Sequence, residues 1–186
     1  MKTNVQKITF TALMTALICV LAPISIPLPD PIPAITLGTF AVYISAYIIG
    51  PWYSSASVLI YILLGIVGLP IFSKSQAGLQ VVAGPTGGYM LGYFFITLCT
   101  GWMVKRFEKK IYLHIIGMTV GMLACHIIGT IWLGISMHLS TGAAIAAGFT
   151  PFMPGEALKI TASAAICYPM RKQLIRMIPS AVMTKS

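Results

Sequence analysis

Glu156 and Lys159 stand three residues apart in Pro154-Gly-Glu-Ala-Leu-Lys159. On a helix that spacing puts both side chains on one face. The chain carries only three acids. Glu108, inside Lys-Arg-Phe-Glu-Lys-Lys, reads as a solvated loop charge, and Asp30, in a proline-rich segment, suits either a surface or a site. A carboxylate accepts hydrogen bonds and an ammonium donates them. Side by side they suit a small ligand with N–H and C=O on one edge, such as an amide or a urea. The competing reading is a structural or snorkelling ion pair near a helix end. On these residues alone both readings are open.

A second constellation is Gly84-Pro-Thr-Gly-Gly-Tyr89, preceded by Gln80 and Val82. It lacks the lysine and spacing of a phosphate-binding loop. Gly84, Gly88 and Gly92 recur every four residues, a pattern that lets helices approach closely. Gln80, Thr86 and the glycines at the start of this helix could instead bring backbone N–H groups to a ligand. Gly117, Gly121, Cys125 and Gly129 form a similar stripe, read as packing. Ala12 and Ala16 repeat the spacing near the N-terminus, either for internal packing or as a face for another membrane protein. Some of Tyr43, Tyr47, Tyr89 and Tyr93 are candidates to wall a pocket, whereas Trp52 and Trp102 suit the membrane interface. His114, His126 and His138 have no metal-ligand spacing. The four cysteines sit in apolar runs without a CxxC and read as small buried hydrophobes. No metal, cofactor or catalytic set is expected.

The elements that must position these residues follow from composition. Of 186 residues, 58% are hydrophobic and 8% charged, with a mean hydropathy of +0.91. A soluble domain carries about 25% charged residues, and disorder needs low hydrophobicity. An all-α integral membrane protein remains. Its net charge of +9 then concerns topology rather than nucleic acid. Charge-free stretches predict six transmembrane helices in one domain, at about 8–22, 35–49, 53–69, 86–104, 112–135 and 154–170. Five prolines between Pro23 and Pro33 forbid a continuing helix, and Gly50-Pro51 divides the second helix from the third. A cleaved signal peptide at the N-terminus is the weaker reading of the first helix.

Six crossings place both termini on one side. Ten of the twelve Lys and Arg then fall on that side, one (Lys74) falls opposite, and Lys159 lies within a helix. This asymmetry predicts cytoplasmic termini in a multi-pass protein of the cell membrane. The three structured loops, 23–34, 70–84 and 136–153, are then all outside, with Glu156 and Lys159 near the outer end of the sixth helix.

The chain resembles the BioY family, the biotin-specific S-components of energy-coupling-factor vitamin transporters. The resemblance rests on the proline-rich first loop, Gly68-Leu-Pro-Ile-Phe72, the segment Gly78 to Tyr89 and Pro154-Gly-Glu-Ala-Leu-Lys159. It implies a six-helix subunit that captures biotin on its outer side and delivers it inward by toppling in the membrane. The implied partners are a transmembrane coupling subunit, docked at Ala12 and Ala16, and two cytoplasmic ATPases. The implied biotin-binding residues are Glu156, Lys159, Gln80, Val82, Gly84, Thr86, Gly87, Gly88, Tyr89, Tyr43 and Tyr47. The family usually has Asp at the position of Glu156, so the charge is kept and the reach lengthened.

Two rivals belong to other classes. A membrane-embedded enzyme needs a nucleophile, base or metal set, and three acids with three scattered histidines supply it poorly. An autonomous carrier often shows internal repeats, and none relates residues 1–90 to 91–186.

Overall fold

The computed structural model describes residues 2–29 and 32–177. Asp30 and Lys185 lie outside them. Eight α-helices occur among the described residues: α1 (Lys2–Leu21), α2 (Gly38–Ile49), α3 (Pro51–Ile66), α4 (Leu79–Ala83), α5 (Gly87–Arg106), α6 (Ile111–Ser136), α7 (Thr141–Gly148) and α8 (Met153–Met177). Six of these have twelve residues or more. By length and composition two of them, α5 and α6, suffice to cross a membrane. The short α4 and α7 sit inside the loops expected at 70–84 and 136–153.

The described residues of the proline loop form a small antiparallel pair that the sequence does not predict. Strand β1 (Ser25–Ile26) pairs with β2 (Ile35–Thr36). This pairing, reinforced by Leu37 N–H donating to the Ile24 carbonyl at 3.0 Å, holds residues 35–37 out of α2. The helix therefore starts at Gly38 rather than at the expected Ile35. At the other end Gly50 has φ +78°, a left-handed value open to glycine at little cost. Pro51 follows as the first residue of α3, where its missing N–H costs nothing.

Helices α5 and α6 form the most extensive pair, and the small-residue stripe explains why. A Cβ on Gly121 would lie 2.8 Å from Ile96 Cα, and one on Gly92 would lie 2.5 Å from Cys125 Sγ. Only hydrogen fits at these crossings. The opposite face of α6 carries Ile116, Val120, Leu123, Ile127 and Ile131, each 37–59% exposed. One helix thus turns small residues inward and large apolar ones outward. That inversion suits a lipid surround, since water would penalise so long an apolar stripe.

The core brings together Ile18, Val42, Tyr43, Val58, Ile96 and Met118. Phe72, from the loop after α3, is fully buried in it. Its ring meets Tyr61 edge-on at 5.5 Å and occupies the space that a side chain at Gly65 would take. The loop is thereby anchored to α3. Lys74 N–H, donating to Ser25 Oγ at 3.1 Å, ties it to the β1 segment.

Candidate functional site

The first turns of α2, α5 and α8 converge with Ala22 after α1, Tyr61 of α3 and His126 of α6 around a narrow cleft. Glu156 and Lys159 line it together with Thr39, Thr86, Tyr89 and Tyr93.

Glu156 enters from the first turn of α8 and is 1% exposed. Burial of a carboxylate is costly unless it is paired and hydrogen-bonded, and here it is both. Lys159 Nζ donates to Oε1 at 2.8 Å, and Thr39 Oγ1 donates to the same oxygen at 2.8 Å. Tyr43 OH donates to Oε2 at 2.9 Å. Lys159 also donates to Thr39 Oγ1 at 2.9 Å. Thr39, Glu156 and Lys159 therefore close a triangle of charge-assisted hydrogen bonds.

The triangle leaves capacity on both charges. Oε2 accepts one bond within the protein and has room for another, and Nζ retains a third N–H. An acceptor and a donor thus stand side by side at the cleft. In the same lining, Ser73 Oγ is buried without a protein partner. The apolar wall includes Met90 and Phe152, with the Tyr89 and Phe152 rings 6.1 Å apart.

Other expected residues are placed differently. Tyr47 is fully buried, but it lies one turn beyond Tyr43 along α2. There its hydroxyl bonds His114 Nδ1; neither it nor Tyr43 lines the cleft, and Tyr43 meets the site only through its bond to Glu156. Of the segment Gln80 to Tyr89, only Thr86 and Tyr89 reach the lining. Gln80 Nε2 donates to the Ala77 carbonyl at 2.8 Å. The Gly84 carbonyl accepts from Trp132 Nε1 at 2.9 Å. Gly87 packs on the Val82 carbonyl and Gly88 on the Trp132 ring. Gly84, Gly87 and Gly88 thus serve the packing of α4 and α5 on each other and on Trp132 of α6. Tyr89 is held by a 2.7 Å bond from its hydroxyl to the Gly148 carbonyl.

Thr39, His126 and Phe152 line the cleft without having been predicted as binding residues, and Tyr93, one of the tyrosines expected to wall a pocket, lines it too. Spacing could have found Thr39, since it stands four residues before Tyr43 on the same face of α2. Ala12 and Ala16 are exposed. With Ile8, Cys19 and Ile60 they line a shallow groove between α1 and α3, uncovered by the rest of this chain.

The BioY family model matches residues 1–176. The chain belongs to the BioY family. It is 36% identical over 160 residues to the biotin transporter BioY of Thermotoga maritima, covering 86% of this chain and 92% of that one. It is 34% identical over 157 residues to the biotin transporter BioY2 of Lactococcus lactis subsp. cremoris, covering 84% and 85%. Its structure is similar to the crystal structure of the S-component for biotin from an ECF-type ABC transporter. That match has a TM-score of 0.85 at 25% identity and covers 92% of this chain and 94% of the other. BioY is a transporter family rather than an enzyme family, and its members are membrane proteins.

Proposed function

We propose that this chain is the substrate-binding subunit of an ATP-driven vitamin uptake system and captures biotin in the Glu156 cleft. The observation that carries this reading is the Thr39–Glu156–Lys159 triangle, which holds one acceptor and one donor beside each other at a cleft walled by Tyr89, Tyr93 and Phe152. In this reading Glu156 Oε2 accepts from a ureido N–H, and Lys159 donates to the ureido oxygen. The bicycle packs on Tyr89, Tyr93 and Phe152, and the Ser73 hydroxyl is free for the carboxylate end. The names of the relatives support biotin as the ligand.

The proposed topology is six crossings, by α1, α2, α3, α5, α6 and α8, with both termini cytoplasmic. The placement of charge along α8 supports it. Glu156 and Arg171 are fifteen residues apart, or about 22 Å along a helix. Lys105, Arg106, Arg171, Lys172 and Arg176 all lie at the helix ends remote from the cleft. With the cationic end inside, the cleft faces outward. The partners in this reading are a transmembrane coupling subunit, met at the Ala12–Ala16 groove, and two cytoplasmic ATPases that supply the hydrolysis.

Titration of the purified chain in detergent with biotin tests the proposal. Saturable binding that Glu156→Ala weakens by tenfold or more is expected. Absence of binding, or binding indifferent to Glu156, overturns it.

A further inference from the structure

At the opposite end of the molecule, an open cleft lies between the loop before α6, the first turn of α6 and the last turns of α8. Its charged lining is Lys109, Arg171, Lys172 and Arg176 against one carboxylate, Glu108. Three of these cations are exposed, but Arg171 is only 5% exposed. Its Nη1 donates to the Tyr47 carbonyl at 2.7 Å, in the last turn of α2. Its Nε is buried and has no partner. Among the described residues no carboxylate lies within 4.0 Å of this guanidinium, and Glu108, in the same cleft, acts on it only from beyond that distance. Carbonyl oxygens offset its burial only in part, because a buried charge calls for a counter-charge as well.

We propose that this cleft binds a phosphate group, that of an anionic phospholipid. Arg171 supplies the buried charge, and Lys109, Lys172 and Arg176 supply mobile donors around it. Guanidinium groups match phosphate oxygens in geometry, and basic pockets between membrane helices on the cytoplasmic side hold anionic head groups. Ile175 lines the cleft, and Ile111 and Tyr112 are exposed beside it, giving acyl chains an apolar surface. Assignment to the inner leaflet rests on the orientation proposed above. Recognition of phosphate does not.

The test uses the full chain in an uncharged maltoside detergent. Short-chain phosphatidylglycerol, phosphatidylcholine and inorganic phosphate are each titrated by native mass spectrometry, and biotin binding is measured on the same samples. The comparison protein carries Lys109→Gln, Lys172→Gln and Arg176→Gln together, exposed positions whose change should leave folding intact. The expected result is saturable phosphatidylglycerol binding at least tenfold tighter than phosphatidylcholine, weakened tenfold or more in the triple variant, with biotin binding unchanged. Inorganic phosphate competing at similar concentration would support the site with a soluble source. Equal binding of the two lipids, or a triple variant that binds phosphatidylglycerol like the parent, overturns the proposal. Lipid binding without biotin binding would count against the Glu156 reading alone.

Discussion

Lys159 reaches back one turn of α8 to place Nζ 2.8 Å from Glu156 Oε1. The pair is bound as much to α2 as to itself, because Thr39 bridges the two charges and Tyr43 holds the remaining carboxylate oxygen. The pair is therefore positioned before any ligand arrives. Preorganisation of this kind raises affinity by reducing the ordering that binding must impose.

Thr39→Val removes the bridging hydroxyl at nearly constant volume. It leaves Glu156 Oε1 and Lys159 Nζ each one partner short. Hydrogen bonds to charged groups contribute about 1.5–3 kcal/mol, so biotin affinity should fall by roughly tenfold or more. Isothermal titration in detergent measures this. Unchanged affinity would mean that α2 does not position the pair.

Ser73→Ala should weaken biotin about tenfold while leaving biotin methyl ester almost unaffected, because only the free acid presents a charged acceptor to the hydroxyl. Equal losses for both ligands would place the Ser73 contact elsewhere.

Gly92→Leu tests the α5–α6 crossing. The new side chain would start 2.5 Å from Cys125 Sγ and 2.7 Å from its Cα, and backbone cannot yield as a flexible side chain does. Overpacking costs about 1–3 kcal/mol or more, so thermal unfolding in detergent should shift clearly downward. An unshifted transition would contradict the close approach of the two helices.

Ala12→Leu places a bulky group in the exposed groove of α1 without touching the cleft. Biotin binding by the isolated chain should be unchanged, and uptake that depends on the coupling subunit should fall severalfold or more. Cellular uptake and detergent titration together check this. Loss of both activities would instead indicate a folding defect.

The long helices and the break at Gly50-Pro51 are legible in the sequence, because hydropathy runs and proline act locally. Pairing of Ser25–Ile26 with Ile35–Thr36 is not, since it joins segments across a loop and involves two residues on each side. The Glu156–Lys159 pair is legible from helical spacing. Tyr43 and Tyr47 look equivalent in the sequence, but one turn of about 5–6 Å along α2 separates them, so that Tyr43 meets Glu156 and Tyr47 meets His114. Gly84, Gly87 and Gly88 have the composition of a ligand-cradling turn, yet their contacts go to Trp132 and Val82. Small residues permit close approach without specifying what approaches.

The central claim is that Lys159 and Glu156 together grip the ureido group. The most direct measurement is the biotin binding isotherm of Lys159→Ala beside the parent chain, with thermal unfolding of both recorded to confirm folding. Loss of one charge-assisted bond predicts affinity lower by about 10- to 150-fold. A folded Lys159→Ala chain that binds biotin as tightly as the parent would contradict the account.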